Sequence, residues 1–309
     1  MIEEIIIVGE GTEYPLNGLL TLPDDLTKKV PAVVFVHGSG SSNMDEKIYK
    51  ITPFADLAHG LAARGIASVR YDKRSYAHAM KLMRAAKGRL TVKEEAVEDA
   101  IFASALLRAD ERIDAGRIFI VGHSMGGMLA PRIDNDGGNF RGLILMAGSP
   151  RRLEEILIDQ IDAMKESMPR ILRGILGKQK EKYVKLFDGL YDLSDDEALQ
   201  KKFGGGVTLY YFKDMGQPTV ADYLAKSKKP MLIMQGSRDL QVSIERDFNA
   251  FKTLLSDREN VEFRLYEGLN HAFIPALFDS IKDATKEFKK ERHIGDAVLD
   301  DIADFIHRN

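Results

Sequence analysis

Gly122-His123-Ser124-Met125-Gly126-Gly127 follows the short apolar run Arg117-Ile118-Phe119-Ile120-Val121 and precedes Met128-Leu129-Ala130, which opens a helix-compatible stretch. The local reading is strand, tight turn, helix. Gly122 and Gly126 stand two residues either side of Ser124, the G-x-S-x-G spacing. A serine at the apex of such a turn is held in a strained backbone conformation, so the flanking positions must carry no side chain that would collide with it. The geometry lifts the Ser124 hydroxyl above the strand end. It also leaves the Met125 amide free at a helix N-terminus, where a developing oxyanion can accept its hydrogen bond. Taken alone, the hexapeptide also fits a glycine-rich turn with an exposed serine, so the rest of the chain has to decide.

Outward from this turn the chain alternates strands and helices. Upstream, Ile5–Val8 and Leu19–Leu22 are two strands joined by a turn containing Gly9, Gly11, Pro15, Asn17 and Gly18, the pattern of an antiparallel hairpin. Ala32–Val36 is a continuous apolar run, which a strand needs when both faces of its sheet are covered, and it ends in His37-Gly38-Ser39-Gly40. Ile51–Arg64 has helical spacing at Phe54, Leu57, Ala58 and Leu61, closed by Gly65. Strand Ile66–Tyr71 leads into Asp72-Lys73-Arg74, and Thr91-Val92-Lys93-Glu94 is a capping box before a long helix. Gly142–Ala147 is a further buried strand. This βα rhythm predicts an α/β fold with a mostly parallel sheet and right-handed crossovers.

The rhythm breaks over residues 151–226, where amphipathic helical stretches replace strands. It resumes with Met231–Gln235, a helix over Ser243–Ser256, strand Val261–Tyr266 and a last helix over Ile294–His307. The expected organisation is therefore a core domain from residues 1–150 and 227–309, with 151–226 as a helical cap inserted over the C-terminal edge of the sheet. Pro131, inside the helix after the turn, is expected to kink it. Asp134-Asn135-Asp136-Gly137 lacks the glutamate of a calcium loop and is read as a surface turn.

Composition narrows the function. The 309 residues are 44% hydrophobic and 29% charged, as in an ordinary globular protein. With 44 basic against 47 acidic residues the net charge of −3 supplies no excess for a phosphate backbone, so nucleic acid is not an expected partner. The absence of cysteine excludes disulfides, a thiolate nucleophile and thiolate-ligated metals. No metal or other cofactor is expected. The acidic, short apolar N-terminus does not read as a secretory signal and no stretch has the length of a membrane span, so a cytoplasmic protein is expected.

Ser124, Asp239 in Gly236-Ser237-Arg238-Asp239, and His271 in Asn270-His271 each lie just beyond the C-terminal end of an expected strand. In an open α/β sheet those ends share one edge. With His37-Gly38 after the third strand, these four motifs in this order resemble an α/β-hydrolase-fold serine hydrolase, close to bacterial carboxylesterases of the dienelactone-hydrolase-like and cinnamoyl-esterase-like groups. The resemblance spans Ile5 to His307. It implies Ser124 as nucleophile, His271 as general base, and Asp239 as the group that orients and stabilises the imidazole. It also implies an oxyanion hole made by the Ser39 and Met125 amides.

Met164, Met168, Tyr210, Tyr211 and Phe212 are expected to line an apolar substrate pocket under the cap, or to pack the cap helices. The expected partner is a small-molecule ester, with a homodimer left open. Thioester or small-peptide hydrolysis, and a non-catalytic ligand receptor on the same fold, are the alternatives. His123 and His37 are read as structural hydrogen-bonding groups, and no role falls to His59, His78, His293 or His307. Asp72 is read as a buried brace between loops.

Overall fold

A computed structural model describes all residues 1–309. The strands are β1 (Ile2–Val8), β2 (Leu16–Leu22), β3 (Val30–Val36), β4 (Ala67–Tyr71), β5 (Ile113–His123), β6 (Leu143–Met146), β7 (Lys202–Gly204), β8 (Val207–Thr208), β9 (Met231–Gly236) and β10 (Val261–Tyr266). Eight of them form one sheet in the order β1-β2-β4-β3-β5-β6-β9-β10, while β7 and β8 make a separate antiparallel ribbon. β1 pairs antiparallel with β2 and β2 with β4; every other pairing in the large sheet is parallel.

β3 shows why its sequence is unbrokenly apolar. All seven of its residues are buried. Successive side chains point to opposite faces: Val30, Ala32, Val34 and Val36 enter a cluster of 45 residues on one side, Val33 and Phe35 a cluster of 26 on the other. The smaller cluster is sealed by helices Pro53–Ala62 and Asp296–Arg308. These two approach so closely that a side chain on Gly60 would meet Leu299. The larger cluster is sealed by helices Glu98–Ala109 and Met125–Ile133 and by the segment between β6 and β9.

That segment holds helices Leu153–Ser167, Arg170–Phe187, Asp195–Gln200, Leu209–Gly216 and Val220–Lys226, with the β7–β8 ribbon among them. Ile156, Phe187, Leu190, Leu209, Tyr211 and Phe212 belong to the same apolar cluster as Val8 and Val34. The segment thus packs continuously with one face of the sheet rather than around a core of its own.

Several local expectations shift in detail. The first helix starts at Pro53, since Ile51 is engaged in a bridge with Ile48, and proline at the first turn forfeits only an amide that would lack a partner there. Glu94 accepts the Thr91 amide at 3.0 Å, as the capping box requires, but the turn it caps is a π-turn over Lys93–Val97. Helix Met125–Ile133 runs through Pro131 before passing into a π-turn at Asp134–Gly138. The Asp134-Gly137 stretch is no simple surface turn. Asp134 is buried, and its Oδ1 accepts from the Phe140 amide and from Lys229 Nζ, both at 2.7 Å.

Candidate active site

The parallel register brings the ends of β3, β5, β9 and β10 to one edge. Ser124 sits directly after β5 with φ 55° and ψ −118°, a left-handed conformation that a side-chain-bearing residue adopts only under strain. The backbone closes tightly around it. A Cβ on Gly122 would lie 2.2 Å from the Gly126 carbonyl oxygen, and one on Gly126 would lie 2.1 Å from that of Val36. Both positions therefore require glycine. The Ser124 amide is pinned to Met146 O at 2.8 Å, across to β6.

Asp239, beyond β9, is fully enclosed. Its Oδ1 accepts the Gln241 and Val242 amides at 2.8 and 3.0 Å, and its Oδ2 accepts from Gln235 Nε2 and His271 Nδ1, both at 2.7 Å. Because the carboxylate only accepts, His271 carries its proton on Nδ1 and keeps the Nε2 lone pair free. His271 and Ser124 line the same cavity of about 240 Å³, whose walls include Ser39, Met125, Leu153 and Leu157. The structure thus joins Asp239 to His271 directly and sets Ser124 beside them. No hydrogen bond links the Ser124 hydroxyl to His271.

The loop after β3 lies against the serine. A side chain on Gly38 would meet Ser124 Cβ at 3.2 Å. The Gly38 amide is already committed to Glu46 Oε1 at 2.8 Å, whereas no backbone hydrogen bond engages the next amide, that of Ser39. Met125 is the first residue of its helix, so its amide has no partner within the helix.

Glu46 escaped the sequence reading, although it is buried in this site. Its second oxygen lies 2.8 Å from His123 Nδ1, while His123 Nε2 lies 2.9 Å from the carbonyl of His271. With an acceptor on each nitrogen the His123 ring is the doubly protonated cation. Burial opposes that charge, but Glu46 outweighs it and holds the imidazole above its ordinary range. Burial likewise opposes the Glu46 carboxylate, and His123 brings its pKa below the usual value. His37 differs: burial drives its pKa down to about 4, so it is neutral and donates Nε2–H to Asn43 O at 2.9 Å. Asp72 is buried and accepts the Met44 amide at 2.9 Å. No residue pattern announced Glu46, because its partners, the Gly38 amide and the His123 ring, lie eight and 77 residues away in the sequence.

A second cavity, of about 400 Å³, opens from the same Ser39, Met125, Leu153 and Leu157 and is walled by Leu82, Met83, Val207, Phe203, Tyr211 and Phe212. Tyr211 and Phe212 therefore face it. Tyr210 does not: its ring lies 5.8 Å from the Arg89 guanidinium carbon. Successive residues on helix Leu209–Gly216 are turned by about 100°, so three in a row cannot share one pocket. Met164 and Met168 line neither cavity.

An eight-stranded sheet of this order, with a strained serine after β5 and a buried Asp–His pair after β9 and β10, defines the α/β-hydrolase class. Within it, the family model described as serine aminopeptidase, S33, matches residues 27–275, and the chain belongs to that family. Over 297 residues the chain is 34% identical to esterase EstD of Thermotoga maritima, an alignment that covers 95% of this chain and 66% of that relative. The chain thus spans just under two thirds of EstD's length. Two solved structures share the fold at 16% identity. The Pyrococcus furiosus esterase PF2001 superposes with a TM-score of 0.59, covering 99% of this chain and 91% of that one. Est1E from Butyrivibrio proteoclasticus gives 0.57, covering 98% and 99%. No helix is long and apolar enough to cross a membrane.

Proposed function

We propose that the protein hydrolyses carboxylic esters through an acyl-enzyme on Ser124. His271 Nε2 takes the Ser124 proton as Oγ attacks the ester carbonyl carbon, and the carbonyl oxygen becomes an oxyanion facing the Ser39 and Met125 amides. Collapse breaks the bond to the alcohol oxygen, which leaves with the proton from His271. A water then repeats the sequence: it gives a proton to His271, attacks the acyl carbon, and releases the acid and free Ser124. Asp239 keeps the imidazole in the required tautomer and stabilises it while charged. The observation that carries this reading is the enclosed 2.7 Å hydrogen bond from His271 Nδ1 to Asp239, set beside a serine on a strained turn.

The 400 Å³ apolar cavity suits a medium-sized aliphatic or aromatic acyl group, for which residues 151–226 act as the cap. The family's description also raises aminopeptidase action. An aminopeptidase needs an unengaged acid to hold the substrate's terminal ammonium. The only acids on the walls of the two cavities are Glu46 and Glu95, and each is already bonded through both oxygens. This favours the ester. The test is intact-mass analysis after exposure to a fluorophosphonate, beside Ser124→Ala, followed by turnover of matched ester and aminoacyl-amide substrates. One adduct on the wild type, none on the variant and faster ester turnover are expected. An unmodified wild type, or preference for the amide, would refute the reading.

A further inference from the structure

Lys73 is a buried lysine that lies outside the set of groups that handle the proton or the acyl group. It follows β4, and its side chain is 2% exposed. Nζ lies 2.9 Å from the carbonyl oxygen of Gly38, 3.0 Å from that of Gly40 and 2.7 Å from Glu95 Oε1. These three acceptors match its three N–H donors. The Lys73 backbone amide adds a fourth tie to the same loop, donating to Ser42 O at 3.0 Å.

The peptide bond turns this contact into an orientation. A trans peptide is planar, so the Gly38 carbonyl and the Ser39 N–H point in opposite directions. Holding the carbonyl on Lys73 sends the Ser39 N–H away from Lys73, and the preceding Gly38 amide is fixed independently by Glu46. The Gly38–Ser39 peptide is thus held at its carbonyl by Lys73, and the peptide before it at its N–H by Glu46. The lysine is itself held from the cap side. Glu95, in the Lys93–Val97 π-turn, takes Lys73 on one oxygen and the Tyr211 hydroxyl on the other at 2.6 Å. Burial and Glu95 keep the Tyr211 phenol well above its ordinary pKa, so it remains a donor. Glu95 and Tyr211 also line the apolar cavity, together with Ser39 and Met125.

We propose that Lys73 is a positioning residue that aims the Ser39 amide at the oxyanion, with Glu95 and Tyr211 holding its ammonium in place. The proposal rests on the Ser124 chemistry put forward above. Its effect belongs to the transition state, because the ground-state carbonyl needs the Ser39 amide far less than the tetrahedral oxyanion does.

The test compares wild type with Lys73→Met, with the double variant Lys73→Met/Glu95→Gln, and with Tyr211→Phe. The double variant avoids stranding a buried carboxylate, and Tyr211→Phe removes one hydroxyl while leaving the ring in place. Each is assayed for kcat and KM on p-nitrophenyl butyrate and for inhibition by a trifluoromethyl ketone bearing the same acyl chain. Loss of one oxyanion donor lowers kcat by about 10²–10³-fold, and misaiming it is a fraction of that. The expected fall in kcat is therefore about 10- to 100-fold for the Lys73 variants and smaller for Tyr211→Phe, with KM changed less than about twofold. The ketone should weaken by the same factor as kcat/KM. Unchanged kcat in the folded variants, or a loss carried by KM while the ketone still binds as to wild type, would overturn the role of Lys73 and leave the esterase reading standing. A wild type that neither turns over the ester nor takes a fluorophosphonate would remove both.

Discussion

His123 and Glu46 form a buried pair, Nδ1 to Oε2 at 2.8 Å, that joins the residue before Ser124 to the loop after β3. Through Glu46 Oε1 the pair reaches the Gly38 amide, and through His123 Nε2 it reaches the backbone of His271. It therefore stands between the loop that carries Ser39 and the loop that carries His271. Removing one member leaves the other charge buried without a partner, which costs about 3–5 kcal/mol. Glu46→Ala is accordingly expected to lower the urea-unfolding free energy by that amount and to slow ester turnover. A variant as stable as wild type would show that the pair contributes no net stabilisation.

His37 supplies a pH dependence of stability. Its folded pKa of about 4 lies below the ordinary histidine value of 6.5, and burial is the main cause. As pH falls from 6.5 toward 4 the unfolded chain takes up a proton that the folded protein refuses, so stability drops on acidification by up to about 3 kcal/mol from this group. Above pH 6.5 the contribution is fully present. In His37→Gln the unfolding free energy, measured from pH 7 to pH 4, should fall less steeply than in wild type. Parallel curves would argue against a neutral buried imidazole.

Asp239→Asn should separate orientation from folding. An asparagine oxygen can still accept the Gln241 and Val242 amides, but its NH2 then faces His271 Nδ1 and favours the tautomer with the wrong nitrogen protonated. Such a change costs about 10⁴-fold in kcat in the analogous triad. The expected result is that loss with a thermal midpoint within a few degrees of wild type, read by steady-state kinetics and circular dichroism.

Val207→Phe places a ring in the apolar cavity beside Phe203 and Tyr211. If acyl chains occupy that space, kcat/KM for an octanoyl ester should fall about tenfold, the equivalent of excluding two methylenes, while an acetyl ester is spared. Equal losses on both esters would place the acyl group elsewhere.

The sheet, the turn around Ser124 and the Asp239–His271 partnership were legible because each rests on a local rule. Both faces of β3 are covered, so its run is apolar throughout. Gly122 and Gly126 are glycines because backbone atoms leave no room for a Cβ. Asp239 and His271 follow strands whose ends must share an edge in a parallel sheet. Glu46, Lys73 and Glu95 were not legible as a network: each is charged, as surface residues are, and their burial follows from how separate loops converge. The triplet Asp72-Lys73-Arg74 did stand out in the sequence. Asp72 braces that loop farther along, at the Met44 amide, whereas Lys73 holds it at Gly38 and Gly40, beside Ser124. Among Tyr210, Tyr211 and Phe212 the sequence offered no rotational reference, since the phase of this helix is set by packing against Phe187, Phe203 and Met125, which come from other elements.

The excursion between β6 and β9 leaves the sheet after Met146 and re-enters it on the neighbouring parallel strand at Met231, the register partner of Leu143. Its end points are therefore fixed by strand hydrogen bonds, whatever runs between them. Lengthening a connection whose two ends are already fixed in one sheet costs little, about 0.6 kcal/mol for each doubling. The interval that walls the 400 Å³ apolar cavity can thus drift in length and sequence over generations while the strand ends bearing Ser124, Asp239 and His271 keep their spacing. The constraint that survives is chemical: any replacement must still present apolar side chains to Leu82, Leu90 and Met125, with which this segment shares a core. The wall of that cavity and the sheet edge holding Ser124, Asp239 and His271 are in that sense separately heritable in this chain.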